Sequence, residues 1–353
     1  MGIVDRTPVQ DGFRMPARFS PHARTYMAWP ADVPWRKDLK GARQEVAALV
    51  RAVARFEPVT LLLNPEDVGS ARESLGDLAA VDWFEVPVDE IYLRDSFPIF
   101  VRNDAGDVAL VNLPFNGWGG RIRCRADMAA GARLAERLGI RSYDAPMICE
   151  GGGICVDGEG TLITTESVMR NANRYLGRTQ RDVERFLRDY LGVETVIWLA
   201  QGLAEDVETD GHVDNVVEYI APGVVLAQAV RDQRNPNYDI CKENLRRLRR
   251  ARDAKGRELE IIEMDLLPYT AETEGPRAVV PYVNYYVVNG GIVAPLLGGP
   301  DDAAALPVLE SLYADREVVG VPSAVIAREG GGVGCLTKEQ PVGPLARASR
   351  STA

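Results

Sequence analysis

Cys149–Cys155 reads C-E-G-G-G-I-C, and Arg328–Cys335 reads R-E-G-G-G-V-G-C. The two stretches are versions of one phrase, each expected to follow a helix and a short strand and to run into another apolar segment. Related glycine turns stand at Gly211–Val217 and Gly290–Ala294. The spacing is irregular, so this is weak evidence for a repeat. It fits quasi-equivalent βαβ-like units around an axis, with their glycine turns converging on one end. Glycine at such turns allows positive φ and lets side chains approach a ligand closely.

The segments outside these turns alternate between two periodicities. Apolar residues recur every 3.6 positions over about 38–55, 125–138, 179–192, 240–251 and 302–313, which predicts helices. Short apolar runs predict buried strands at Val59–Leu63, Val81–Val86, Val108–Asn112, Thr195–Leu199, Val224–Gln228, Leu259–Met264, Val279–Val288 and Ile292–Pro295. Alternating helices and strands define an α/β class. The chain has 353 residues and 22 prolines spread throughout, with no linker. A single domain over 1–353 is expected, ordered over about 12–345, with a short flexible C-terminal tail.

Composition removes several function classes. Hydrophobic residues make up 46% and charged residues 26%, as in ordinary globular proteins. No run approaches the roughly 20 apolar residues that cross a bilayer, and the N-terminus lacks a basic segment followed by an apolar one. A cytoplasmic protein without membrane contact is expected. The net charge of −10 disfavours nucleic acid and suits cationic small molecules. Five cysteines without a C-x-x-C pair and only two histidines, His22 and His212, argue against a disulfide framework and against a metal site. No G-x-G-x-x-G or G-x-x-x-x-G-K-[ST] supports nucleotide binding. No cofactor is expected. A homo-oligomer is compatible with the sequence but not required by it.

Four segments combine reactive residue types with glycine or sharp turns. Ile91–Pro98 (I-Y-L-R-D-S-F-P) carries Arg94-Asp95, which alone reads equally as a surface ion pair. Glu150 enters a glycine turn that it could simply close. In Thr209–Asn215 (T-D-G-H-V-D-N), His212 and Asp214 are two apart, so on an extended strand both point the same way. A carboxylate beside the imidazole favours its charged form. In Glu329–Leu336, Cys335 ends a glycine turn whose backbone N–H groups could stabilise a thiolate. Cys155 has nearly the same setting, and local reading does not choose between them.

Together these point to a reaction class. A Cys–His pair supplies a nucleophile and a general acid/base. Nearby Asp and Glu side chains oppose thiolate formation unless the substrate is itself cationic. A guanidinium is planar and presents paired N–H donors that match carboxylate oxygens, and its charge would help the thiol ionise.

The chain resembles the agmatine deiminase family, the Porphyromonas-type peptidylarginine deiminases of the guanidino-group-modifying pentein superfamily. The resemblance rests on Met15-Pro, Pro21-His22, Met27-Ala-Trp-Pro30, Arg94-Asp95-Ser96-x-Pro98, Asn116-Gly-Trp-Gly-Gly120 and Glu150-Gly-Gly. It continues through Val156–Leu162, Gly211-His-Val-Asp-Asn215, Tyr282-Val-Asn284, Asn289-Gly-Gly291, Asp315–Val321 and the turn to Cys335. It implies a five-fold pseudosymmetric α/β propeller with a central site. It also implies Cys335 as nucleophile, His212 as proton shuttle oriented by Glu150, Asp95 and Asp214 gripping the guanidinium, and Glu208 and Trp118 as lesser binding candidates. The implied reaction is agmatine to N-carbamoylputrescine and ammonia through an S-amidino-cysteine. The sequence departs from the family pattern in three places. Phe97 replaces a glycine beside Asp95, which places it among the substrate-binding candidates. Gly332-Val-Gly334 replaces Asn-Ile-His before the nucleophile, and Cys155 stands where histidine is common. These departures leave open deimination of another guanidine (arginine, peptidyl arginine or a specialised metabolite) and amidino transfer to an amine. A non-catalytic guanidine-binding protein and a metal-dependent agmatinase-like hydrolase are the alternatives from other classes.

Overall fold

The computed structural model describes residues 6–347 apart from 33–34, 36, 270–278 and 280. Of the flexible tail expected after 345, Ala346 is held by backbone hydrogen bonds to Val108 and Arg141. The residues beyond 347 lie outside the described residues, as does part of the predicted strand at Val279–Val288.

Among the described residues, sixteen strands form five sheets. In the first sheet Ile99–Arg102 pairs antiparallel with Val108–Asn112, the helix Arg125–Leu138 crosses over, and Ser142–Asp144 returns parallel. The second repeats this with Cys155–Val156, Thr161–Thr165, the helix Gln180–Leu191 and Thr195–Leu199. The third uses Val217–Ala221, Val224–Gln228, the helix Tyr238–Arg250 and Glu260–Met264. The fourth uses Tyr286–Val288, Gly291–Leu296, the helix Pro300–Leu312 and Glu317–Pro322. The fifth is built from both ends of the chain. Lys338–Pro341 pairs antiparallel with His22–Ala28, the helix Leu39–Ala54 crosses over to Val59–Leu63, and Val81–Glu85 extends the edge. The repeating unit is therefore ββαβ, which corrects the expected βαβ-like unit. The first strands Ile99–Arg102, Cys155–Val156, Val217–Ala221 and Lys338–Pro341 were not among the expected strands.

Local chemistry explains the pieces. The middle strands Val59–Leu63 and Thr161–Thr165 are buried at every position, as strands covered on both faces are, and this makes them continuous runs in sequence. The helix Gln180–Leu191 starts with a capping box between Thr179 and Asp182, buries Val183, Phe186, Leu187 and Leu191, and stops at left-handed Gly192. Asn289-Gly290 forms the two-residue hairpin turn of the fourth sheet, with Gly290 at φ 74. This glycine turn thus leaves the strand that Asn284 enters, at the opposite end. Among the described residues, no helix is long and apolar enough to cross a membrane.

The five helices lie within two residues of their expected spans. The expected strand Val279–Val288 is shorter, because Pro281–Tyr285 forms a turn before Tyr286–Val288. That position recurs in every sheet. A short irregular turn enters each first strand: Leu93–Ser96 before Ile99, Gly151–Gly153 before Cys155, Val213–Asn215 before Val217, Pro281–Tyr285 before Tyr286, and Gly332–Leu336 before Lys338.

Candidate active site

The five entry turns meet through their side chains. Asp95, buried on the Leu93–Ser96 turn, accepts the Gly152 backbone N–H at 2.8 Å and Trp118 Nε1–H at 2.9 Å. His212 lies between two acids, with Nε2 3.2 Å from Glu150 Oε2 and Nδ1 3.7 Å from Asp95 Oδ2. Its backbone N–H donates to Asp206 Oδ2 at 3.0 Å and to Thr209 Oγ1 at 3.1 Å. Asp214 Oδ2 is 3.8 Å from Cys335 Sγ, while its Oδ1 is buried with no hydrogen-bond partner among the described residues.

Gly152 stands where these groups converge. A Cβ there would lie 2.5 Å from His212 Nδ1 and 2.9 Å from both Asp214 Oδ2 and Asp95 Oδ1. The glycine phrase is thus required for close approach. Gly152→Ala is expected to push the imidazole and both carboxylates aside, lowering kcat about 100-fold while the far-ultraviolet circular dichroism stays native. Unchanged kcat would refute the packing described here.

Cys335 is held at its sulfur and at its backbone carbonyl. Asn284 Nδ2 donates to Sγ at 3.3 Å and to Asn215 Oδ1 at 2.9 Å. A Cβ at Gly332 or at Gly334 would fall 2.6 Å from Asn284 Oδ1, so these glycines make room for that amide. Arg94 donates from its backbone to Cys335 O at 3.0 Å and from Nε to Gly334 O at 3.1 Å. It is fully buried and pairs with Glu339 at 2.8 Å, so the alternative of an Arg94–Asp95 surface pair is overturned. Lys338 Nζ donates to Arg94 O at 3.0 Å.

Burial raises the Cys335 thiol well above its ordinary pKa, and Asp214 and Asp95 raise it further. For His212, burial pulls downward, but Asp95, Glu150 and Asp214 outweigh it and push the imidazole up to about 10. Burial lifts Asp214 to about 6 against the pull of His212. Glu150 is lowered, because His212 and Arg174 overcome the effect of burial. At neutral pH the site therefore holds a neutral thiol, an imidazolium and buried carboxylates, one with an unsatisfied oxygen. Such an oxygen is costly without a donor. The arrangement suits a cation bearing N–H groups.

The expected His212–Asp214 geometry differs. Val213–Asn215 is a 3-10 turn, so the two side chains do not share a strand face, and Asp95 and Glu150 are the carboxylates flanking the ring. Trp118 sits in left-handed backbone (φ 52, ψ 52) with its ring edge-on to Tyr92 and Phe115. Glu208 is exposed, its Cγ 4.0 Å from where a Cβ on Gly330 would lie. The Phe97 ring packs on Tyr26 with centroids 5.2 Å apart, so its bulk is taken up by the core. Cys155 is buried with Sγ 3.7 Å from Glu218 Oε1, and burial followed by Glu218 raises its thiol well above the ordinary value. His22 pairs with Glu57 at 3.0 Å.

Sequence reasoning missed Asn284 and Arg174. The Tyr282-Val-Asn284 motif was a signal for the first, since it directly precedes an apolar run. Arg174 carried no local signal.

The Porphyromonas-type peptidyl-arginine deiminase family model matches residues 14–341. The agmatine deiminase of Pseudomonas aeruginosa is 42% identical over 359 aligned residues, covering 95% of this chain and 97% of that protein. A solved structure of the Enterococcus faecalis agmatine deiminase superposes with a TM-score of 0.91 at 30% identity, covering 96% of this chain and 98% of that one. The Pseudomonas aeruginosa DDAH shares the fold more distantly, with a TM-score of 0.50 at 14% identity and coverage of 91% and 100%. On sequence, fold and the set of residues brought together by its five entry turns, this chain belongs to the Porphyromonas-type peptidyl-arginine deiminase family.

Proposed function

We propose that this protein is an agmatine deiminase, converting agmatine and water to N-carbamoylputrescine and ammonia with Cys335 as nucleophile and His212 as proton shuttle. The observation that carries this reading is the carboxylate cage. Asp214 Oδ2 lies 3.8 Å from the Cys335 sulfur and its Oδ1 has no partner among the described residues, so a planar cation would satisfy the acid and face the nucleophile together. The relatives named agmatine deiminase support the substrate.

The chemistry follows from the charges. In the free protein the acids that surround Cys335 disfavour its thiolate. A guanidinium seated between Asp95 and Asp214 cancels that field, and the thiol releases its proton to solvent. The thiolate attacks the central guanidinium carbon and forms a C–S bond. His212, charged and with Nδ1 toward the cage, gives its proton to the departing nitrogen, and ammonia leaves an S-amidino-cysteine. The now neutral imidazole takes a proton from water, whose oxygen attacks the same carbon. The C–S bond breaks with its electron pair returning to sulfur, the added oxygen passes its remaining proton to the thiolate, and the neutral ureido product departs.

The rim favours a tail ending in a cation. Burial, followed by Asp127, Asp89 and Glu329, raises Glu90 to about 8, so it is mostly protonated at neutral pH and an arriving cation would favour its ionisation. Tyr92 Oη donates to Glu329 O at 3.5 Å, and Tyr92 packs against Trp118. With Glu208 beside Gly330, an ammonium end is attracted there and the carboxylate of free arginine is repelled.

We also read the five ββαβ units as an α/β propeller with five-fold pseudosymmetry. The repeated topology and the gathering of all five entry turns at one site support this. One domain follows, since the fifth sheet draws strands from both chain ends. A cytoplasmic, cofactor-independent enzyme remains part of the proposal.

Mass spectrometry of protein quenched during turnover of agmatine tests the assignment, with arginine and peptidyl arginine as comparators. An amidino adduct on Cys335, with ammonia and ureido product formed from agmatine, is expected. An adduct on Cys155, or turnover confined to a comparator, overturns it.

A further inference from the structure

Behind Glu150, on the side away from the cage, lies a buried arginine that the reaction scheme above does not use. Arg174 Nε donates to Glu150 Oε1 at 2.8 Å and to Oε2 at 2.7 Å, and neither side chain has any solvent exposure. Its Nη1 donates to Asp210 Oδ2 at 2.6 Å and Asn173 Oδ1 at 2.9 Å, and its Nη2 to Thr209 O at 3.1 Å. Asp210 adopts positive φ, 65, two residues before His212. It is clasped in turn by Arg121 at 2.7 and 2.9 Å and by Asn173 Nδ2 at 2.9 Å. Arg121 Nη1 also donates to the carbonyl of Trp118, the residue whose indole holds Asp95.

We propose that Arg174 is the positioning residue of the acid–base pair, holding the Glu150 carboxylate against His212 while Asp210 anchors Arg174 from behind. The proposal rests on the deiminase reading above. Physically, a carboxylate with two lone-pair faces turns toward whichever donor is fixed, and a buried guanidinium with every reachable nitrogen engaged is a rigid donor. Glu150 Oε2 is then left with one direction in which to meet the imidazole. Arg174 also brings a positive charge near both partners. It favours ionised Glu150 and, at longer range, disfavours charged His212. The other titratable groups facing this pair are Asp95 and Asp214 on the cage side, and Cys149, Tyr175 and Lys338 around Glu150.

Removing that charge has a distinctive sign. In Arg174→Gln both Glu150 and His212 hold protons more tightly, so the acid and basic limbs of the kcat profile move upward together, by on the order of one pH unit. Because Arg174 does not reach the cage, kcat falls about 10- to 100-fold while KM for the guanidine turned over by the wild type changes less than about threefold. Arg174→Lys keeps the charge and loses the fork, so it holds the limbs in place and recovers part of kcat. Asp210→Asn leaves the charge of Arg174 uncancelled, moves the limbs the other way, downward, and serves where the Arg174 variants do not fold. NMR titration of the ligand-free protein, whose two imidazoles are those of His22 and His212, gives a readout that needs no substrate. The His212 titration must rise in Arg174→Gln or fall in Asp210→Asn. Unmoved limbs and an unmoved His212 titration in folded variants overturn the positioning role, whatever happens to kcat. A wild type without deiminase activity but with these His212 shifts would instead overturn the functional reading and leave the linkage standing.

Discussion

Cys335→Ala is expected to lose turnover of agmatine by roughly 10⁴-fold or more, with the fold kept. The side chain is small and buried, and replacing a thiol by a methyl removes little volume, so stability should change by about 1 kcal/mol or less. In the free protein burial, Asp214 and Asp95 oppose ionisation of the thiol and outweigh the hydrogen bond from Asn284. Nothing in the cation cage depends on the sulfur, and the variant should still bind agmatine by calorimetry. Cys155→Ala serves as the control. That thiol faces Glu218 in a separate core cluster, and its variant should keep activity within about threefold. Ammonia release by the two purified variants decides the matter. Activity in Cys335→Ala, or its loss in folded Cys155→Ala, would assign the nucleophile elsewhere.

Asp95→Asn carries the second large effect, because this one carboxylate faces both substrate and proton shuttle. Truncating one partner of a buried charge pair costs about 2–5 kcal/mol, which amounts to a fall in kcat/KM of roughly 10²–10³-fold. KM should rise and kcat should fall together, since Asp95 pairs with the guanidinium on binding and also holds the charged imidazole that protonates the departing nitrogen. Asp95 is also the strongest influence raising His212. Without it the imidazole falls from about 10 toward its ordinary value, and the basic limb of the kcat profile moves down. That direction is opposite to the one expected for Arg174→Gln. Stability follows the same linkage. His212 in the folded protein lies above its ordinary 6.5, so its contribution is fully present below that pH and is lost as pH rises through about 10. In Asp95→Asn that contribution should be smaller and be gone at lower pH, read as thermal midpoints across a pH series. A variant whose KM alone changes would show that Asp95 binds but does not tune the histidine.

The five long helices and the middle strands Val59–Leu63, Val108–Asn112, Val224–Gln228 and Gly291–Leu296 were legible because their burial is written in local pattern. The middle strands His22–Ala28 and Thr161–Thr165 were not among the expected strands. Val59–Leu63 is apolar or β-branched throughout and buried throughout. The strand Lys338–Pro341 shows the opposite case. Its sequence, K-E-Q-P, carries no apolar signal, yet every residue in it is buried. Lys338 caps Arg94 O, Glu339 pairs with Arg94, and Gln340 Oε1 accepts from Tyr26 Oη. Each partner lies hundreds of residues away, so nothing nearby in the chain announces the strand. Asn284 and Arg174 likewise take their roles from partners on other turns, 24 to 69 residues away.

By itself, the sequence determined the α/β class, the family resemblance and the inventory of reactive groups, including the fact that any acid–base histidine had to be one of two. Only the tertiary structure decided which groups meet: that His212 lies between Glu150, 62 residues away, and Asp95, while Asp214 turns instead toward Cys335, 121 residues away. It also decided that Cys155 faces Glu218. Periodicity and side-chain chemistry are properties of adjacent residues. The distance between two entry turns depends on how whole sheets pack beside one another, and no short stretch of chain encodes that.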